Sequence, residues 1–244
     1  DLFFGREALT TRLADRVAAL ALAPTTHFLA VVGASGSGKS SLVRAGLAVA
    51  LKGRGWTTHV MTPTAAPRSR LKAELHAAHT PAGAPPALLL VDQFEETFTL
   101  CHDEAVRAAF IDKLLALGDP NVPPASSSAT PGAAATVVVI ALRADFYSHC
   151  AQYPLLRQAV AAQQEYIGQM TAAELRRAIE EPARLAGWEF EPGLVDLLLH
   201  DIGAHRGSAP EPGALPLLSH ALLATWERRR GRTLTVDGYR AAGG

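Results

Sequence analysis

The chain has few of the residues on which several classes of protein depend. Its two cysteines, Cys101 and Cys150, lie far apart in 244 residues and fit neither a disulfide framework nor a zinc site. Unpaired cysteines are typical of a reducing compartment, so we expect a cytoplasmic protein. No apolar run approaches the ~20 residues needed to cross a bilayer, and no signal-peptide pattern is visible.

An excess of either charge is also missing. The 23 basic and 23 acidic side chains cancel, and lysine occurs at only four positions, 39, 52, 72 and 113. A neutral balance gives no support for a nucleic-acid or membrane-surface partner. Apolar residues make up 48% of the chain, which is ordinary for a globular protein with a buried core. The length allows one large domain, alone or with a small second domain.

Short continuous apolar runs alternate with segments of helical spacing. Buried strands are predicted at 28–32, 87–91 and 136–141, a further strand at 57–62, and a short edge strand at 166–167. Helices are predicted at 7–22, 39–51, 67–78 and 103–117. This alternation predicts an α/β fold in which βαβ units build a parallel sheet.

The pattern changes in the last third of the chain. Thr171 and Glu174 form a capping box at the start of a helix that runs to about residue 186. Further helices are predicted at 193–200, 215–229 and 235–242. We therefore place an α/β domain at 1–164 and a small all-helical subdomain at 165–244. The stretch 118–136 is rich in Pro, Ser, Ala and Gly and predicts a long flexible loop.

One motif indicates phosphate binding. The pattern G-x-x-x-x-G-K-[ST] is matched by Gly33, Gly38, Lys39 and Ser40, between a predicted strand and a predicted helix. In such a P-loop the backbone amides and the helix N-terminus face the phosphates of a nucleoside triphosphate. Lysine places its charge on the β- and γ-phosphates, and the serine hydroxyl ligates Mg²⁺. The predicted nucleotide contacts in this segment are Gly33, Ser35, Gly36, Ser37, Gly38, Lys39, Ser40 and Ser41.

Acidic residues follow the second buried strand. A carboxylate at such a strand end lies beside the metal of a P-loop site, which makes Asp92 the second predicted Mg²⁺ ligand after Ser40. Glu95 and Glu96 come three and four residues later, and either is a candidate general base for the attacking water. The sequence does not choose between them.

Arg143 ends the third buried strand, on the side of the sheet where ligands bind. A guanidinium there is able to contact the γ-phosphate and to sense its presence. An ordinary surface arginine at a strand exit is an equally good interpretation of the position alone.

Together these segments resemble the STAND class of P-loop NTPases, and in particular the bacterial novel STAND NTPase 1 family. The resemblance covers almost the whole chain and is carried by Phe3–Glu7, Gly33–Leu47, Val91–Glu96, Leu142–Phe146 and Gly213–Leu222. It implies a three-layer α/β sandwich of the AAA+/STAND type. It also implies that Gly5 and Arg6 pack over the adenine, that Pro216 of a GxP motif touches the base from the helical side, and that Arg143 is a sensor.

The resemblance further implies a slow ATPase switch. Members of the class are held closed as monomers by ADP, and exchange for ATP permits self-association. Their nucleotide domain usually lies between an effector domain and a repeat-built sensor, and is followed by a winged-helix domain. We expect those parts to lie outside the 244 residues. Two alternatives stay open: a constitutive P-loop ATPase or kinase, and a module that binds nucleotide without hydrolysing it.

Overall fold

A computed structural model describes residues 3–77, 85–121, 135–204 and 213–244. Its described residues divide into two compact units. The larger unit comprises Ala8–Gly33 and Lys39–Ile167; the smaller comprises the N-terminal residues up to Glu7, Ala34–Gly38 and Gly168–Gly244. One of the boundaries between the two units falls after Ile167.

The larger unit is built on a five-stranded parallel sheet with the strand order β2-β3-β4-β1-β5. Its strands are β1 (Phe28–Gly33), β2 (Thr57–Met61), β3 (Ala87–Val91), β4 (Thr136–Arg143) and β5 (Gln164–Ile167). Every residue of β1 and β3 is buried, as the continuous apolar runs require of strands covered on both faces. The predicted edge strand at 166–167 is the end of β5, which pairs with β1.

Helices cover both faces of this sheet. Those of the larger unit, apart from Glu7 at the start of α1, are α1 (Glu7–Leu20), α2 (Lys39–Ser41), α3 (Val49–Gly53), α4 (Pro67–Ala77), α5 (Glu96–Thr99), α6 (Glu104–Leu117), α7 (Tyr147–Cys150) and α8 (Pro154–Ala162). On one face, alternate strand residues such as Val91 and Ile140 share a core with Phe110 of α6 and Leu156 of α8. The helical stretch from Lys39 to Gly53 contacts β1, β2 and β3. The predicted three-layer arrangement is confirmed.

The helix after the P-loop is not uniform. Between α2 and α3, residues Leu42–Ala48 adopt π-helical hydrogen bonding, a rare geometry that occurs often near functional sites. The sequence pattern predicted an unbroken helix here, because hydrophobic spacing does not distinguish the two forms.

The predicted loop at 118–136 begins with a packed residue. The backbone N–H of His27 donates to the carbonyl of Gly118 at 2.6 Å, and a Cβ on Gly118 would lie 2.9 Å from the carbonyl oxygen of His27. Gly118 therefore packs within the larger unit, at the end of α6. Most of the predicted loop, residues 122–134, lies outside the described residues.

The smaller unit has its own core, in which Leu175, Leu194 and Leu198 are almost fully buried. Its helices are α9 (Ala172–Leu185), α10 (Leu194–Asp201), α11 (Ala214–Glu227) and α12 (Val236–Ala241). The capping box predicted at Thr171 and Glu174 is present. Two short parallel strands, β6 (Glu189–Phe190) and β7 (Thr233–Leu234), were not predicted, because two residues are too few to show an alternating pattern.

Candidate functional site

The topology of the sheet gathers the predicted catalytic segments at one edge. β4 lies between β1 and β3, and all three are parallel, so their carboxyl ends point the same way. The register pairs Gly33, the last residue of β1, with Arg143, the last of β4. Asp92 follows β3 directly, and its N–H continues the pairing by donating to the carbonyl of Met61 at 2.9 Å.

Lys39 is buried at the start of α2, and its Nζ donates to the carbonyl of Gly33 at 2.8 Å. Burial lowers the pKa of Lys39, and the negative charge of Glu95 partly offsets that effect. Arg143, Asp145 and Asp92 also act on this amine. The ammonium therefore lies within electrostatic reach of the residues that end β3 and β4.

Ser40 and Asp92 form the predicted metal-binding pair. The Ser40 hydroxyl donates to Asp92 Oδ1 at 3.0 Å, and Asp92 is 1% exposed. Mg²⁺ binds six oxygens at 2.0–2.1 Å, which puts neighbouring ligands of the octahedron about 2.9 Å apart. The two oxygens already have this separation, so the residues present fit a magnesium ion.

The phosphate loop itself belongs to the smaller unit. Gly36 and Gly38 have φ of 71° and 83°, values that residues with a Cβ rarely adopt. The hydroxyl of Ser37 is buried and has no hydrogen-bond partner among the described residues. A buried polar atom without a partner is costly, and a phosphate oxygen is a partner of the right kind.

The segment Gly213–Pro216, which the resemblance identifies with the GxP motif, lies against this loop within the same unit. A Cβ on Gly36 would come 3.1 Å from the Cα of Gly213 and 3.5 Å from the Cδ of Pro216. A Cβ on Gly38 would meet Leu215 at 3.3 Å. Gly36 and Gly38 of the P-loop are thus needed both for their backbone conformation and for the close approach of α11.

Glu95 and Glu96 are placed by a turn after Asp92. Gln93 adopts a left-handed conformation with φ of 54°, which is uncommon for a residue other than glycine and recurs at functional sites. The turn brings the N–H of Phe94 to the carbonyl of Ala141 at 2.9 Å. The Phe94 ring is fully buried, beside Phe98 and Phe110.

The two acids then differ in surroundings. Glu95 Oε2 accepts a hydrogen bond from the backbone N–H of Arg143 at 3.3 Å, and Glu95 is the strongest charged influence on Lys39. Glu96 begins α5. Burial raises the pKa of Glu96, and the charges of Glu95 and Asp92 raise it further.

The Arg143 side chain is engaged by a neighbour. Its Nε and Nη2 donate to the two carboxylate oxygens of Asp145 at 3.1 and 2.6 Å, and its guanidinium lies 5.5 Å from the centre of the Phe146 ring. The paired carboxylate raises the pKa of Arg143, and in return Arg143 lowers the pKa of Asp145. Both side chains are partly exposed, so this ion pair contributes little stability and is able to open.

The N-terminal segment is fastened to the smaller unit. Arg6 is buried, and its Nη2 donates to the carbonyl of Gly168 at 2.7 Å, with Glu174 at 3.9 Å from Nε. Burial lowers the pKa of Arg6, and Glu174 partly offsets this. Glu7 accepts from the N–H of Gly5 at 3.1 Å and from Arg177 at 2.9 Å. These contacts anchor the segment predicted to cover the adenine.

Gly5→Ala is expected to lower the free energy of unfolding by at least about 1–2 kcal/mol, the cost of a left-handed conformation for a residue with a Cβ. Gly5 has φ of 91°, and its Cβ would collide with the carbonyl oxygen of Glu174. Denaturant unfolding measures the change. Gly53→Ala is the matched control, because nothing lies within 4 Å of its Cβ and alanine favours a helix. Equal stability of the two variants would contradict the packing of Gly5.

Sequence reasoning gave no role to Arg44, which contacts Asp92. Its Nε donates to Asp92 Oδ2 at 2.5 Å, and its Nη2 donates to the hydroxyl of Thr62 at 2.6 Å. The sequence signal that could have identified Arg44 is its position four residues after Ser40, which puts both side chains on one face of a helix.

Several solved structures have folds similar to that of this chain. The ADP form of the ORC2 protein of Aeropyrum pernix superimposes with a TM-score of 0.72 at 16% identity, over 98% of this chain and 68% of that chain. A chain of the E. coli MS115-1 HORMA:CdnC:Trip13 complex gives a TM-score of 0.65 at 12% identity, over 99% and 89%. A chain of Drosophila ORC bound to DNA gives 0.60 at 18%, over 98% and 60%. This chain thus spans about two thirds of the ORC chains. At these identities the likeness concerns the fold.

Three further findings concern membranes and sequence. Among the described helices, none combines the length and apolar character needed to cross a membrane. A comparison with the sequences of curated proteins finds no match. The model of the family described as Novel STAND NTPase 1 matches residues 1–244, the whole chain. The chain therefore belongs to the Novel STAND NTPase 1 family.

Proposed function

We propose that this chain is the ATP-binding, slowly hydrolysing switch module of a bacterial signal-transduction or defence ATPase. The observation that carries the proposal is the 3.0 Å pair of Ser40 and Asp92 at the carboxyl end of the sheet, next to the P-loop lysine. The neighbouring ORC2 structures are described as an ADP form and as ADPNP-ADP complexes, which supports an adenine nucleotide as ligand here.

The nucleotide is bound through its phosphates and its base. The amides of the loop Gly33–Gly38, the ammonium of Lys39 and the hydroxyls of Ser37 and Ser41 bind the phosphates. Gly5, Arg6 and Pro216 line the adenine side, as the family resemblance implies. The anchoring of Arg6 on the carbonyl of Gly168 supports a role for that residue in fixing the segment.

Magnesium supplies positive charge to the β- and γ-phosphate oxygens when it is bound. Ser40 and Asp92 are the residues that would hold it. The protein orients this pair beforehand, through the hydrogen bond that joins them and through the N–H of Gln93, which donates to Asp92 Oδ1 at 2.9 Å.

Hydrolysis requires a base that takes a proton from water. We assign it to Glu95, because its carboxylate accepts a hydrogen bond from the N–H of Arg143, the residue that ends β4 beside Gly33. The water oxygen bonds to the γ-phosphorus while a water proton passes to Glu95. The bond from the γ-phosphorus to the bridging oxygen breaks, and ADP leaves with the electron pair. Lys39 stabilises the negative charge that develops on the β- and γ-phosphate oxygens.

Switching requires a group that distinguishes ATP from ADP, since a ligand shifts an equilibrium only by its differential affinity for the two states. Arg143 is that group. The γ-phosphate competes with Asp145 for its guanidinium, and this competition separates an ADP-bound, off monomer from an ATP-bound, self-associating form. In the full-length cytoplasmic protein, fused sensor and effector domains would supply the input and output.

Arg143→Ala is expected to weaken ATP binding more than ADP binding, by about 1–3 kcal/mol, the usual size of an allosteric coupling. The reason is that, in the proposed mode of binding, the γ-phosphate, which ADP lacks, is the only part of the nucleotide that Arg143 contacts. Calorimetric titration of this chain with each nucleotide measures the ratio of the two affinities.

Asp145→Asn provides the opposite change, because it releases the guanidinium from its ion pair and should favour ATP. Arg157→Ala removes an exposed arginine of α8 and is the matched control, which should leave the ratio as in the parent. Equal losses of ATP and ADP affinity in Arg143→Ala would remove the sensor role and leave the switch without a basis.

A further inference from the structure

Asp92 is held on both carboxylate oxygens. Oδ1 accepts from the Ser40 hydroxyl at 3.0 Å and from the N–H of Gln93 at 2.9 Å, while Oδ2 is 2.5 Å from Nε of Arg44. The carboxylate is 1% exposed. A buried charge needs hydrogen bonds and an opposite charge, because these replace the water that it loses on burial.

Arg44 is itself fixed on two sides. It projects from the π-helical segment after the P-loop, and its second donor, Nη2, is held by the Thr62 hydroxyl at 2.6 Å beyond the end of β2. Its side chain is 44% exposed at the outer edge of the site. An arginine is charged at every physiological pH, and its rigid fork holds an oxygen in a defined direction.

The charge of Arg44 bears on nucleotide binding. A nucleoside diphosphate brings negative charge close to Asp92, and an uncompensated carboxylate there would repel it. Magnesium ordinarily removes that repulsion, since a bound divalent ion is the largest local charge in such a site. Here the protein supplies a cation of its own at the far oxygen, and leaves Oδ1 beside Ser40 for the metal.

We propose that Arg44 is a positioning and charge-compensating residue for Asp92, and that it makes binding of a nucleoside diphosphate largely independent of Mg²⁺. The proposal rests on the proposed nucleotide-binding function. Magnesium is then needed for the chemistry on the triphosphate. When magnesium is absent, Arg44 balances the negative charge of Asp92 and keeps its carboxylate oriented.

The test is an ADP titration of this chain in excess Mg²⁺ and in excess EDTA. Chelation should change the affinity of the parent by no more than about threefold, and that of Arg44→Met by about tenfold or more, since one nearby charge is no longer balanced. In Mg²⁺ the two proteins should agree within about threefold. Arg44→Lys keeps the charge but loses the fork, and should lie between them. Arg54→Met, which removes the exposed arginine that pairs with Asp15, should behave as the parent.

A chelation effect as large in the parent as in Arg44→Met would overturn the proposal. So would an equal loss in Arg44→Met with and without Mg²⁺. If the parent bound no ADP even in Mg²⁺, the proposed nucleotide-binding function would fail instead.

The stability of the nucleotide-free protein tests the Arg44–Asp92 pair separately. Arg44→Met should lower the melting temperature, because it leaves a buried carboxylate without its cation. The double variant Arg44→Met with Asp92→Asn should recover most of that loss and should bind ADP independently of Mg²⁺. A double variant that melts lower than Arg44→Met would show that the two side chains do not compensate each other.

Discussion

Lys39→Ala is expected to weaken Mg-ATP binding by about 10²–10⁴-fold. The ammonium faces the β- and γ-phosphates, and each charged hydrogen bond of this kind contributes about 1.5–3 kcal/mol. Lys39 is held at the carbonyl of Gly33 at 2.8 Å, so its removal changes the loop locally and leaves the sheet intact. Calorimetry or displacement of a fluorescent nucleotide measures the loss.

The control is Lys52→Ala, which removes an exposed lysine of the same helical stretch and should bind as the parent does. Circular dichroism should show the parent fold in both variants. Ser40→Ala should also weaken binding, but chiefly when Mg²⁺ is present, because it removes a metal ligand and no charge. Parent-like ATP affinity in Lys39→Ala would refute the phosphate-binding role of this loop.

Replacing Glu95 and Glu96 together with Gln is expected to stop turnover, with a loss of about 10²–10⁴-fold, the contribution typical of a general base. Binding should persist, because Lys39, Ser40 and Asp92 are unchanged. Single-turnover phosphate release measures the rate, and a nucleotide titration of the same variant supplies the control for binding.

The single variants separate the two acids. Glu95→Gln alone should account for most of the loss, since the Glu95 carboxylate is held at the end of β4 by the N–H of Arg143. Glu96→Gln should lose less. The reverse order would move the base to Glu96, and unchanged turnover in the double variant would refute a catalytic role for both.

The absolute rate in the parent separates the remaining functional hypotheses. A switch turns over slowly, a constitutive ATPase rapidly, and a pure binding module not at all. ATP-dependent self-association, measured by sedimentation, would support the switch further.

The sequence by itself determined the order and type of the main elements. Continuous apolar runs such as 28–32 and 87–91 have few alternatives to a doubly covered strand, and they became β1 and β3. The capping box at Thr171 could be predicted in the same way, because it depends on residues only three apart. The P-loop motif is local for the same reason: glycine conformation, a lysine and a hydroxyl suffice to define it.

The tertiary structure decided what depends on distant parts of the chain. The sheet order β2-β3-β4-β1-β5 puts Arg143 beside Gly33, although 110 positions separate them (143 − 33). Spacing along the chain left Glu95 and Glu96 equivalent. The left-handed turn at Gln93 and the burial of Phe94 made them different.

Arg44 gives the clearest instance of this division. In the sequence it is one of many arginines on predicted helices, where an arginine exposed to solvent indicates no particular function. Only the packing of that helix against β3 brings its guanidinium to the buried carboxylate of Asp92. The strength of such a pair depends on distance and burial, and those are set by contacts between elements far apart in sequence.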